Sequence, residues 1–126
     1  MKKLLTIILA LFLVNCDNHG TMLEFNGGEL YYTSEVSERE AYKLGEYLVE
    51  SGFFDGVRKT AQLNKYGSTY EFRMVVKKGI DKDEEFIGII KQFCRELSEY
   101  VFDSSDVDIH LCDEYLKTIR VVVAFY

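Results

Sequence analysis

The chain predicts an α+β domain, with two helices packed on one face of an antiparallel sheet in the order β-α-β-β-α-β-β. Three observations predict it. Two segments repeat apolar residues at helical spacing behind a Ser or Asp with a Glu three residues on. Five segments alternate apolar and polar residues with a period of two. Asn/Gly-containing turns separate the strands, and the chain contains no proline. With 126 residues, 48% of them hydrophobic, there is room for one domain with a substantial core.

The first strand is expected at 29–33, with Leu30 and Tyr32 on one face. Ser37 and Glu40 form a capping box for a helix running to about Ser51, with Ala41, Leu44 and Leu48 as its apolar stripe. Gly52 fits the left-handed position after the helix, and Phe53 can fold back on the last turn. Strands at 57–63 and 68–77 flank a hairpin turn at 64–67. In the second of these, Tyr70, Phe72, Met74 and Val76 alternate with Glu71, Arg73, Val75 and Lys77. Asp81 and Glu84 form a second capping box. The helix behind it runs to about Phe102, with Phe86, Ile90, Phe93 and Leu97 facing the core. A last hairpin at 107–113 and 118–125 turns Val107, Ile109 and Leu111 inward, together with Ile119, Val121, Val123 and Phe125.

An antiparallel sheet with both helices on one face buries both stripes. This layout resembles a ferredoxin-like sandwich with one added strand. The other sheet face then carries Arg58, Thr60, Gln62, Glu71, Arg73, Lys77, Asp108, His110, Cys112 and Arg120.

The N-terminus reads differently. Lys2 and Lys3 precede an apolar run from Leu4 to Val14, broken only by Thr6. Eleven residues of helix span about 16 Å, half a bilayer core, so the run fits a signal sequence better than a membrane span. It ends in Leu13-Val14-Asn15-Cys16, which resembles the lipobox of bacterial lipoproteins, with Asn15 where Ala or Gly is usual. The resemblance implies diacylglyceryl attachment to Cys16, cleavage before it and anchoring in a membrane on the extracytoplasmic side. Two or three acyl chains anchor firmly, each buried CH₂ contributing about 0.8 kcal/mol. Asp17 resembles the inner-membrane retention signal of enteric bacteria. The domain organisation expected is signal peptide 1–15, lipidated cysteine and flexible tether 16–28, and one domain at 29–126.

The net charge is −6, and without Lys2 and Lys3 the balance is 13 basic to 21 acidic side chains. Nucleic-acid binding needs a basic field, so that class of partner is excluded. The stretches at 44–48, 52–56 and 107–113 resemble an uncharacterised small bacterial domain found alone or appended to membrane proteins. That resemblance spans roughly 28–123 and implies a self-contained domain at a membrane, without an assigned activity.

Asp108, His110 and Cys112 share a strand face and form the strongest candidate for chemistry. A Cys–His pair can activate a thiolate, and the three could begin a metal site. Neighbours at i and i+2 lie about 6.6 Å apart, however, which is long for a nucleophile and its base. The expectation is therefore a solvated surface whose groups titrate normally, with no catalytic residue, metal or cofactor. The same face (Arg58, Glu71, Arg73, Asp108, His110, Cys112, Arg120) is the expected interaction surface. Glu71 with Arg73 and Arg120 with Asp108 are its candidate ion pairs. Cys94 faces the sheet from a helix while Cys112 has outward parity, so a disulfide between them is not expected. The acids at 81–85 fit a helix N-terminus better than a calcium loop. Tyr31, Tyr32 and Tyr126 are a candidate aromatic patch at a sheet edge, although Tyr32 also fits the core.

The function expected is a lipid-anchored, extracytoplasmic, non-catalytic binding or interaction module, with the membrane and an envelope protein as partners. The alternative is a thiol- or metal-dependent envelope enzyme using Cys112 and His110. A third class is a structural component of an envelope complex.

Overall fold

A computed structural model describes residues 19–124. The expected signal peptide, Cys16, Asp17, Phe125 and Tyr126 lie outside the described residues. Six strands and two helices alternate as three hairpins joined by two helical crossovers. The strands are β1 (Thr21–Phe25), β2 (Gly28–Tyr32), β3 (Thr60–Tyr66), β4 (Thr69–Val75), β5 (Val107–Cys112) and β6 (Thr118–Val123). The helices are α1 (Glu38–Glu50), between β2 and β3, and α2 (Glu84–Tyr100), between β4 and β5.

The sheet runs in chain order, β1-β2-β3-β4-β5-β6. Each hairpin is antiparallel, and each helical crossover makes a parallel pair, β2 with β3 and β4 with β5. The sheet is thus mixed rather than antiparallel. Each βαβ unit also keeps its two strands adjacent, unlike the split βαβ of a ferredoxin-like sandwich.

The sixth strand is β1, in a stretch expected to be tether. It is held by Asn26 and Gly27, whose φ values of 45° and 84° suit a two-residue hairpin turn. The pairing sets Leu23 opposite Leu30 and Phe25 opposite Gly28. Phe25 then packs against α1 at Gly45, where an added Cβ would sit 2.2 Å from the ring.

α1 begins as expected. Ser37 Oγ accepts from Glu40 N–H, and Glu40 Oε1 accepts from Ser37 N–H. Its C-terminus ends at a left-handed Gly52, φ 86°. Phe54 rather than Phe53 is fully buried there, its N–H on the Leu48 carbonyl. α2 starts two residues later than the expected box. Asp83 is its cap, accepting from the N–H groups of Glu85 and Phe86, while 81 belongs to a preceding 3-10 turn, Ile80–Lys82. The buried stripe of α2 is accordingly Ile87, Ile90, Cys94 and Leu97, with Phe86 and Phe93 at its margin.

Leu30, Ala61, Leu63, Phe72, Met74, Ile109, Leu111 and Val122 line the sheet face under both helices. α1 covers β1 and β2, and α2 covers β5 and β6. Aromatic rings fill the valley over the central strands, where Phe53 stands 5.6 Å from Phe72 and 6.1 Å from Phe93 between ring centroids.

β6 corrects a parity. Val122 and Ala124 are buried, while Ile119, Val121 and Val123 are exposed. The cause is a register shift between Leu111 and Cys112 in the β5–β6 pair, which leaves Ile119 without an opposite partner. Such a bulge turns the rest of its strand over.

Candidate functional site

The open face of the sheet carries the residues singled out from the sequence, and it is less solvated than expected. One lateral row runs Met22, Tyr31, Gln62, Arg73, His110, Val121, each opposite the next. The next row holds Asn64, Glu71, Asp108 and Val123. Parallel pairing of β4 with β5 brings Glu71 beside Asp108 and Arg73 beside His110.

A polar network crosses four strands here. Thr33 Oγ1 lies 2.7 Å from Asn64 Oδ1, and Asn64 Nδ2 donates to Glu71 Oε1 at 3.5 Å. Glu71 Oε2 is 3.6 Å from His110 Nε2. On the other side of the ring, Nδ1 lies 3.2 Å from Arg73 Nη1 and 2.9 Å from Thr118 Oγ1. A guanidinium only donates, so Nδ1 accepts and Nε2 carries the proton. His110 is thereby fixed as a neutral imidazole between a carboxylate and a cation. Burial and the Arg73 charge lower its pKa, while Glu71 and Asp108 oppose them. The side chains of Glu71 and His110 are each only 13% exposed. This overturns the expectation of a water-screened face with ordinary titration.

Cys112 departs further from that expectation, being 0% exposed. Its thiol donates to the His110 carbonyl at 3.5 Å, not to the ring. Burial pushes its pKa up, against the smaller opposing effects of Arg73 and Thr118. The loop after β5 helps to close this end of the face. Asp113 Oδ1 accepts from the N–H groups of Tyr115 and Lys117, which curls the loop and leaves Leu116 left-handed at φ 62°. The Leu116 carbonyl then accepts Arg73 Nη2 at 2.6 Å. Cys94, on the helix side, has its thiol pushed up to about 11, chiefly by burial. Both cysteines are free.

One residue leaves the proposed surface. Arg120 pairs with Leu111 on the helix side, and its guanidinium bonds the Asp81 carbonyl at 2.7 Å and Glu84 Oε2 at 3.1 Å. It makes no pair with Asp108, which faces Val123. Arg58 precedes β3 and reaches Glu29 at 3.3 Å. The tyrosine patch also separates. Tyr31 faces outward with His19 edge-on at 5.6 Å, while Tyr32 packs against the core. Thr118 escaped the sequence reading, and Gln62 was placed on this face without a partner. Gln62 is 8% exposed and donates to the His19 carbonyl, and Thr118 anchors His110. Both belong to alternating strand positions, but only the register shows what they touch.

On the helix side lies a groove of about 740 Å³ between α2, the end of β4 and the chain after α1. Phe53, Met74, Ile80, Phe86, Ile90 and Phe93 form most of its apolar lining. Among the described residues, no three His, Cys, Asp or Glu side chains are grouped to hold a metal ion, and no helix is long and apolar enough to cross a membrane.

These features define an α+β protein of two helices on a six-stranded mixed sheet, with a consolidated polar face opposite an apolar groove. The model of the AF_1994_N family N-terminal domain matches residues 22–122, and the chain belongs to that family. It is a small uncharacterised domain. The match begins inside β1 and ends inside β6, so it spans the whole sheet. No curated protein and no solved structure matches the chain.

Proposed function

We propose that this protein is a non-catalytic binding module, held by lipid on Cys16 at the extracytoplasmic face of a membrane, whose open sheet face docks an envelope protein. One observation carries the reading: the reactive groups of that face are used up by one another. His110 is held neutral between Glu71 and Arg73, and the Cys112 thiol is buried with a raised pKa. A thiolate enzyme needs the reverse, an exposed low-pKa sulfur beside its base. A satisfied polar network instead holds a fixed shape, which suits recognition.

Thiol labelling tests the non-catalytic part. In a Cys16→Ser chain, Cys94 and Cys112 should label only when the protein unfolds. Rapid labelling of Cys112 in the folded chain would move the thiol enzyme ahead. Mass analysis of the mature N-terminus from the native host tests the anchor, with a diacylglyceryl Cys16 expected. An unmodified Cys16 sinks that part. For docking, capture from native membranes should be lost with Asp108→Lys and kept with Ile89→Glu, which disturbs only the groove side. The opposite pattern would transfer the binding site to the groove.

A further inference from the structure

β6 closes the sheet order with no strand beyond it among the described residues. The direction of its backbone groups follows from hydrogen bonds two strands away. Tyr70 N–H bonds the Asp106 carbonyl and Val76 N–H bonds the Cys112 carbonyl. Even-numbered residues of β5 therefore turn their backbone groups toward β4, and the odd-numbered ones turn toward β6. Ile109 opposite Val122 is thus a hydrogen-bonded pair, and His110 opposite Val121 is not. It follows that Val121 and Val123 direct their N–H and C=O groups away from the sheet. The same two residues carry exposed apolar side chains, 44% and 41% accessible. One edge thus presents free backbone groups and valine side chains together.

Natural sheets usually defend such an edge with lysine, proline or an outward charge. The chain has no proline. The one charge in β6 is Arg120, which is already engaged by Glu84 and the Asp81 carbonyl. The opposite edge, β1, carries an exposed Glu24.

We propose that β6 pairs antiparallel with β6 of a second copy, joining two sheets across a two-fold axis at Val122. The pattern of the strand selects this partner. With Val122 on the axis, Val121 falls opposite Val123 of the second copy, and each pair of free backbone groups meets its complement. Arg120 falls opposite Ala124, so no like charges meet. A register centred on Arg120 would set two guanidinium groups against each other. A one-residue slip would bring valines of the open face against the helix side. Pairing of β6 with β1 of another copy would place valine beside Glu24 and, being head-to-tail, would build rings or open chains of many copies rather than a pair.

The test uses the full chain in detergent with Cys16→Ser, so that the remaining native thiols are the two buried ones. Sedimentation should give a protein dimer. Val121→Lys should give a monomer with an unchanged circular dichroism spectrum, since that side chain is exposed, and only the parent's melting transition should rise with protein concentration. A mixture of Val121→Cys and Val123→Cys chains should form an intermolecular disulfide under mild oxidation, and Val123→Cys alone should not. Three results overturn the proposal: a monomeric parent chain, a dimer indifferent to Val121→Lys, or a ladder of higher oligomers. The ladder would assign the edge to β1. A parent chain monomeric alone but bound to a foreign β-strand would assign it to another protein.

Discussion

His110 shows how much of a residue's chemistry is set by its neighbours. Its lowered pKa means that the unfolded chain takes up the proton more readily than the native one. The stability held by neutral His110 is therefore complete above its unfolded pKa of about 6.5 and declines as pH falls below that value. Denaturant titrations across this range should show the decline, and His110→Gln should flatten that part of the profile. A stability that rises on acidification through the same window would mean that Glu71, not Arg73 and burial, governs the ring. Cys112 was read as an incidental surface thiol, and parity was right in placing it opposite the helices. Parity could not show that the 113–117 loop and Arg73 close over that end. Cys112→Ser is therefore expected to cost about 1–3 kcal/mol, as a buried polar replacement, well above the roughly 0.5 kcal/mol range of ordinary surface substitutions.

Secondary elements were legible wherever the local signal was chemical and short in range. The Ser37–Glu40 box, Gly52 and the Val107, Ile109, Leu111 alternation all act within a few residues. The errors fall where two elements compete or a register intervenes. Asp81 and Asp83 both offer a cap, and the 3-10 turn decided for Asp83. Leu97 faces inward in either phase of α2, and it is fully buried. Leu97→Ala should therefore cost about 2–5 kcal/mol in equilibrium unfolding. Ile87→Ala should be comparably costly, and Ile89→Ala nearly neutral, which checks the corrected phase of the helix. At Gly45, a methyl group would press on Phe25, so Gly45→Ala should destabilise by about 1–3 kcal/mol despite the better helix propensity of alanine. A stabilised variant would show that β1 can move off α1 without loss.

For the molecule as a whole, the domain boundary matters most. The Asn26-Gly27 pair is the strongest short hairpin signal in the chain, yet it also reads as the polar end of a tether. Because β1 covers the edge of β2 and seats Phe25 on α1, a chain begun at His19 should unfold in one cooperative transition. One begun at Gly28 should lose several kcal/mol or fail to fold. Equal stability of the two would return 19–27 to the tether. The proposed lipid anchor and the proposed β6 pairing belong to this scale as well. A membrane tether confines copies to a surface, which raises the effective concentration for an edge-to-edge contact.

The sequence by itself determined an α+β chain, two capped helices, the inward face of β5 and the absence of a basic field, because periodicity, capping and charge are local properties. The parallel pairing of β2 with β3 and of β4 with β5 was decided only in three dimensions, since strand partners are chosen by how both helices share one core. So was the outward turn of Val121 and Val123, which depends on a bulge that no alternation of side chains announces. The candidate site follows the same division. Glu71, Arg73, Asp108 and His110 could be placed on one face by counting in twos, but their satisfaction of one another depends on register, because a hydrogen bond needs atoms brought within about 3 Å.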